Sequence, residues 1–129
     1  MIDIIESLKK KETFFTSKGA SAQQIKEAEN ELGLQFAKDY VRYVSAFGIA
    51  SYANHELTGI CQSERLNVVA VTRHCRDLIN TVGNNWYVIE QTNMDGVLVW
   101  QNEDGTIIQT SLGNEPVILC HSLTEYINL

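Results

Sequence analysis

Residues 21–48, SAQQIKEAENELGLQFAKDYVRYVSAFG, decide the fold, because they predict two helices joined by a tight corner. Ser21 is a good N-cap, and Gln24, three residues on, can complete a capping box around the first turn. The apolar side chains of this helix recur on one face, and Gly33 follows as a left-handed stop. A second helix is expected to begin near Lys38 and to end before the last glycine of the stretch.

The spacing of this stretch matches a known pattern: a capped helix with a glutamate, a Leu-Gly pair, an apolar corner and a tyrosine in the next helix. The matching residues are Ser21, Gln24, Ile25, Ala28, Glu29, Leu32, Gly33, Leu34, Phe36, Asp39 and Tyr40. This pattern resembles the N-terminal signature of the SUKH superfamily, which contains many bacterial immunity proteins and a yeast regulator of cell-wall synthesis. Ala37 departs from it, because the family usually has a proline there that fixes the entry to the second helix.

The composition is that of a globular protein with an acidic balance. A length of 129 residues predicts one domain, residues 1–129, with a single sizeable core. The net charge of −6 argues against unspecific attraction to nucleic acid or to an anionic membrane. It suits a partner that is itself basic, although solubility alone also explains an acidic balance.

The sequence also predicts a cytoplasmic location without a membrane anchor. Asp3 and Glu6 interrupt what would have to be the apolar core of a signal peptide. No run approaches the roughly 18 apolar residues of a membrane helix. The three cysteines, Cys61, Cys75 and Cys120, have no paired spacing and are interpreted as reduced, buried thiols.

The remaining segments follow from hydrophobic period and turn residues. They are a helix over 2–11 packed down by Phe14 and Phe15, one or two strands within 49–66, a helix over 68–81 capped by Asn67, strands over 86–90, 97–101, 106–110 and 117–120, and a helix capped by Ser122 and Glu125. The helix over 68–81 should leave Arg73, Arg76 and Asp77 in solvent. Its β-branched start also fits a strand, and the family resemblance favours the helix.

The turns between the later strands set the fold class. Asp95-Gly96 and Asp104-Gly105 favour tight hairpins, so these strands should be antiparallel neighbours. Strands 97–101 and 106–110 carry apolar residues at successive positions, so both faces of the sheet should be covered, with the helices on one of them. The expected fold is α+β, with N-terminal helices on an antiparallel meander sheet of about four to six strands and a short C-terminal helix. The second hairpin and the closing helix also resemble the C-terminal half of SUKH domains.

Three candidate chemistries are weak. Adjacent His74-Cys75 and Cys120-His121 pairs point apart on a helix or strand, so neither pair can readily bind one zinc ion. No nucleophile elbow surrounds a cysteine or serine, and the Glu103-Asp104 pair is explained by its turn. Phosphate-loop and dinucleotide motifs are absent. The sequence therefore predicts neither an enzyme nor a metal or cofactor, while a small Cys/His-dependent enzyme stays a second alternative.

A recognition surface is the remaining hypothesis. Large aromatic side chains anchor interfaces, and Trp86, Tyr87 and Tyr52 are candidates, whereas core packing is favoured for Trp100. Acidic residues around them would speed the capture of a basic partner. The candidate binding residues are Tyr52, Glu56, Trp86, Glu90, Asp95, Glu103 and Asp104.

The SUKH resemblance implies how such a surface is used. Bacterial SUKH domains commonly bind a cognate toxin in the cytoplasm and neutralise it stoichiometrically. The expected partner is a basic toxin that targets nucleic acid, and this chain itself is expected to bind neither nucleic acid nor membrane. It should be a monomer or a weak homodimer. The alternative within the same family is a regulatory or scaffold protein-interaction module.

Overall fold

The computed structural model describes residues 3–92, 94 and 96–129 of the chain. In chain order the helices are α1 Ile4–Lys9, α2 Ala22–Leu32, α3 Lys38–Phe47, α4 Val68–Leu78 and α5 Leu123–Ile127. The strands are β1 Phe15–Thr16, β2 Ala50–Tyr52, β3 His55–Leu57, β4 Trp86–Gln91, β5 Leu98–Asn102, β6 Ile107–Thr110 and β7 Val117–Cys120. The α+β class, the predicted elements and the short C-terminal helix are confirmed, with ends that shift by up to three residues.

All strands lie in one antiparallel meander, in the order β1-β2-β3-β4-β5-β6-β7. This sheet has one strand more than the upper end of the predicted range. The extra strand is β1, whose two residues pair with β2 and are too few to show a period-two pattern. Its Phe15 is 71% exposed, so the expectation that this residue packs against the core is wrong, whereas Phe14 contacts the ring of Phe47.

The first face of the sheet carries the main core. Its strand residues alternate with those of the other face, as the pleat requires. From the helices this core takes Ile4, Leu8, Ile25, Ala28, Leu32, Tyr40, Tyr43, Val44, Phe47, Val68, Val69, Leu123 and Ile127, and from the sheet it includes Leu57, Tyr87, Ile89, Val99 and Ile107. Helices α1, α2, α3 and α5 therefore share this face, and the first two residues of α4 reach the same core.

The second face is covered by α4, which corrects the expectation that the helices lie on one face only. Val71, Cys75 and Ile79 of the α4 segment pack against Val88, Leu98, Trp100 and Ile108. The Thr72 hydroxyl, fully buried, accepts from the backbone N–H of Val88 at 3.0 Å, which ties the helix to β4. The central strands are apolar at successive positions because a helical layer lies on each side of them.

The helical corner forms as its sequence predicts. Ser21 and Gln24 make the capping box, and Gly33 ends α2 with a φ of 68°. Glu29 folds back over the corner, where its carboxylate accepts from the N–H of Phe36 at 2.8 Å. Ala37, in place of the family's proline, keeps an N–H, and this group donates to the Tyr87 hydroxyl at 2.9 Å. The departure at Ala37 thus gains a hydrogen bond that proline could not make.

Arg76 corrects a second expectation about α4. Instead of lying free in solvent, its guanidinium donates to the carbonyls of Leu32, Asn84 and Trp86, at 2.6 Å for Asn84. The side chain thereby connects the end of α2 with the loop before β4. At the end of this helix Leu78 is exposed, whereas the next residue, Ile79, is buried.

At the N-terminus, the helix predicted over 2–11 is confirmed over Ile4–Lys9, while its residue Ile2 lies outside the described residues. At the C-terminus, the Ser122 hydroxyl accepts from the N–H of Glu125 at 3.1 Å, as expected for a cap. Within the described part of the chain, no helix is both long and apolar enough to span a bilayer.

Candidate functional site

Three adjoining hollows run along one side of the molecule, from the helical corner past the β5–β6 turn to α5. The first encloses about 770 Å³ and the next two about 440 and 600 Å³. The first two share Glu103 and Asp104, and the second and third share Asp39 and Ser122. Their shared walls make them one continuous, uneven surface.

This surface is strongly acidic. Its described lining residues include a single lysine, Lys38, and one histidine, His121, and no arginine. We name as the acidic face the carboxylates that line the three hollows, which are Asp3, Glu29, Asp39, Glu103, Asp104 and Glu125. Asp3 is paired with the Arg42 guanidinium at 2.6 Å, so a cationic partner would be attracted mainly by the other five carboxylates.

The β5–β6 turn forms a ridge between the first two hollows. Gly105, with a φ of 101°, lets the chain turn, and a Cβ there would lie 2.7 Å from the carbonyl of His121. The Asp104 carboxylate accepts from the hydroxyl and the N–H of Thr106, at 2.7 and 3.0 Å. These hydrogen bonds, with a smaller contribution from His121, lower the pKa of Asp104. The turn therefore presents a fixed, ionised carboxylate next to the exposed Glu103.

Beneath this ridge, buried hydrogen bonds anchor the turn to the core. Gln101, fully buried in β5, donates from its amide to the carbonyl of Gly105 at 3.2 Å and to Asp39 at 3.3 Å. Its amide oxygen accepts from the Tyr87 hydroxyl at 2.9 Å. The second oxygen of Asp39 accepts from the N–H of Leu123 at the start of α5. The ridge, the helical corner and α5 are thus held by one network.

The predicted binding residues fall into two groups. Trp86 pairs with Asn102 in the β4–β5 register, so it lies at the end of the sheet that carries Glu103 and Asp104. Tyr52 and Glu56, in β2 and β3, belong to the part of the sheet on the other side of β4. Asp95, the remaining acidic candidate of a turn, lies outside the described residues.

Two of the predicted binding residues are buried, contrary to the expectation that they lie on an exposed binding surface. Tyr52 is 5% exposed and Glu90 is 2% exposed, so neither can touch a partner in this conformation. Glu56 is exposed, but its carboxylate holds the guanidinium of Arg65 at 2.7 and 2.9 Å, which lowers the pKa of Glu56. The sequence pattern could not show this, because partners for an acidic side chain come from distant segments.

The buried position of Glu90 has a local cause. The β4–β5 register pairs Val88 with Trp100 but Glu90 with Val99, so the extra residue Ile89 forms a bulge. Because paired residues share a face, the bulge places Glu90 on the first face of the sheet, together with Val99. A simple alternation along β4 would have left it on the opposite face.

Glu90 is satisfied there by two donors. The Tyr126 hydroxyl of α5 donates to its carboxylate at 2.5 Å, and Nδ1 of His55 lies 2.9 Å from it. Burial and the charge of Glu90 raise the pKa of Tyr126, so this phenol keeps its proton. Tyr52 stacks on the His55 ring at 5.1 Å, and the Lys11 ammonium lies 5.9 Å from the Tyr52 ring centre. This cluster connects α5 to the sheet.

Replacing Tyr126 by Phe tests the structural role of this cluster. The variant removes one donor from a buried carboxylate, and we expect a loss of about 1–3 kcal/mol in the free energy of unfolding. Urea denaturation followed by circular dichroism measures it. Tyr52→Phe is the control, since no hydrogen bond joins its hydroxyl to Glu90 among the described contacts. Equal losses in both variants would contradict the assigned role of the Tyr126 hydroxyl.

Two of the three cysteines are poor nucleophiles. Burial raises the pKa of the Cys75 thiol to about 11 and also raises that of Cys120. Both thiols are therefore protonated at neutral pH, and the thiolate is the reactive form. Cys61 is half-buried rather than fully buried, and all three cysteines are free. Within the described residues, no group of three His, Cys, Asp or Glu side chains is placed to hold a metal ion.

Sequence reasoning missed four carboxylates of the acidic face: Asp3, Glu29, Asp39 and Glu125. Two of them, Glu29 and Asp39, stand within the helical signature, where they also bond backbone N–H groups. The signature marked them as residues of the scaffold, but no spacing placed them beside the β5–β6 turn. That proximity exists only once the corner packs on the sheet.

The comparison with protein families gives one match of nearly full length. Residues 1–127 match a family model described as SMI1-KNR4 cell-wall. No curated protein matches the chain.

Proposed function

Because the chain belongs to the SUKH_5 family of SMI1-KNR4 domains, we propose that it is an immunity protein that neutralises a cognate toxin. Membership supports an immunity or protein-interaction module in general, in a family whose members are generally not enzymes. The toxin, its basic character and its action on nucleic acid are the finer part of the proposal. The protein would bind it one-to-one, without turnover.

The acidic face is the observation that carries this proposal. It gathers six carboxylates, of which Asp3 is paired with Arg42, around three hollows whose described lining residues include one lysine and one histidine, in a chain of net charge −6. A toxin that cleaves or modifies nucleic acid must hold phosphates with lysine and arginine. The same cations can bind carboxylates, and arginine does so in bidentate geometry.

The shape of the face suits this role. The ridge of Glu103 and Asp104 projects between two hollows, so it can enter a cleft while the hollows accept the walls of that cleft. Asp104 is fixed by Thr106, so little side-chain entropy is lost when it binds. Trp86, half-buried at the same end of the sheet, adds an aromatic edge. Long-range attraction would speed the encounter and weaken with salt.

Charge reversal on the ridge tests the proposal. Inactive variants of the toxin domains from the source organism are titrated with the wild type and with Glu103→Lys/Asp104→Lys by calorimetry. We expect one toxin to bind one-to-one, and the double variant to weaken that binding at least about tenfold. Raising the salt concentration should reduce the difference in affinity between the wild type and the double variant, because salt screens the attraction between charges.

The matched control is Glu12→Lys/Glu64→Lys, which changes the net charge equally at exposed positions outside the three hollows. If this control weakens binding as much as the ridge variant does, binding depends on the net charge of the protein and not on the acidic face. If no toxin of a full panel binds, the immunity function is wrong. Recovery of wall-synthesis or signalling proteins instead would favour the regulatory or scaffold module, in keeping with the cell-wall description of the family.

A further inference from the structure

The last strand of the sheet has an open edge. Among the described residues β7 pairs only with β6, so the N–H and C=O groups on its other side face outward. An exposed edge of this kind is a template for another strand. The edge carries exposed apolar side chains, since Val117 is 55% and Ile118 is 62% exposed.

An apolar row on the second face ends at this edge without a cover. The strand registers align Val88, Trp100, Ile108 and Ile118 across β4 to β7. The first three are buried beneath α4, whereas Ile118 lies beyond the helix and is open to solvent. The row therefore stops one strand short of complete burial.

The net charge of the chain bears on which partner can cover the exposed end of this apolar row. The segment 116–120, PVILC, carries no charge, in a chain of net charge −6. Two copies that approach each other elsewhere, such as along the acidic face, would repel. An edge without charge is where like-charged copies can meet at the lowest electrostatic cost.

We propose that two copies of this chain pair through β7 in an antiparallel, twofold-symmetric contact. Antiparallel pairing of a strand with itself is self-complementary, as a twofold interface requires. With Ile118 opposite Ile118, the apolar row continues from one sheet into the other. The residues of β7 are all uncharged, so no like charges meet within the paired strands.

The contact is small. Two four-residue strands and a few side chains bury far less than the roughly 1,200–2,000 Å² of stable interfaces. The dimer is therefore weak, and association is expected only at high protein concentration. It leaves the acidic faces of both copies free, because β7 residues do not line the three hollows.

Sedimentation equilibrium between about 10 µM and 1 mM protein tests the proposal. The average mass of the wild type should rise toward twice the monomer mass. Ile118→Lys, which buries a charge in the contact, should weaken association at least tenfold. Phe15→Lys is the matched control, because it places the same charge at an exposed apolar residue of the opposite edge, and it should dimerise like the wild type.

Amide hydrogen exchange gives a second measurement. The β7 amides should become more protected as the concentration of wild type or Phe15→Lys rises, and not in Ile118→Lys. If circular dichroism shows that Ile118→Lys is misfolded, Ile118→Thr keeps the β-branched shape and should still weaken the dimer. A wild type that stays monomeric at the highest concentration, a dimer that Ile118→Lys leaves intact, or growth beyond dimers would each overturn the proposal. If the protein is monomeric, the occupant of the β7 edge would have to be a strand of another protein.

Discussion

Trp100→Ala should be strongly destabilising, with a loss of about 3–5 kcal/mol in the free energy of unfolding. Trp100 is fully buried between β5 and α4, and its removal leaves a large cavity in the small second core. A domain of this size is typically stable by about 5–15 kcal/mol, so the variant is left close to the limit of folding. Urea denaturation at 25 °C, followed by circular dichroism, measures the change in midpoint.

Two further variants separate packing from hydrogen bonding. Trp100→Phe keeps most of the ring but removes the indole N–H, which donates to the buried Thr110 hydroxyl at 2.8 Å. It should cost about 1–3 kcal/mol. Trp86→Ala is the control, because this tryptophan is only partly buried, and it should cost less than Trp100→Ala. If the two alanine variants lose equal stability, α4 and the second face do not form a packed core.

Gln101→Leu should cost about 2–4 kcal/mol, although leucine has a similar volume. The substitution leaves the Tyr87 hydroxyl without its acceptor and the Gly105 carbonyl without its donor, and both groups are buried. An unpaired buried polar group costs more than the net gain of the bond that satisfied it. Urea denaturation is again the measurement.

The control for this variant is Gln109→Leu in β6, which makes the same change at a half-buried position outside the network. It should change stability by less than about 0.5–1 kcal/mol. Because Gln101 also holds Gly105 beneath the acidic ridge, Gln101→Leu should weaken the proposed toxin binding at temperatures where the protein stays folded. A Gln101 variant as stable as the Gln109 variant would show that the network does not hold the ridge.

Much of the fold was predictable because its signals are local. The capping box at Ser21, the left-handed Gly33 and the Asp104-Gly105 turn each depend on residues a few positions apart. The sequence predicts the strands from 86 onward to within about one residue, because β-branched and aromatic runs between turns leave few alternatives. The two-residue strand β1 carries no such signal.

The candidate site was less predictable because it depends on distant partners. Glu103 and Asp104 were found from their turn, and Trp86 lies at their end of the sheet. Glu90 looked like an exposed acid, yet the β4 bulge turns it toward Tyr126, which is 36 residues away in sequence. Glu29 and Asp39 looked like parts of the scaffold, yet they line the same hollows as the turn.

The sequence by itself determined the order of the elements other than β1, the antiparallel pairing of the later strands, the family and the acidic balance, since these depend on local spacing and on totals. The tertiary structure decided which carboxylates face solvent, which are buried with donors, and that α4 covers the second face. The physical reason is that burial and hydrogen bonding depend on the elements brought into contact, and a single strand bulge is enough to reverse the direction of a side chain. The net charge could therefore be predicted from the sequence, but the surface on which the charged residues lie could not.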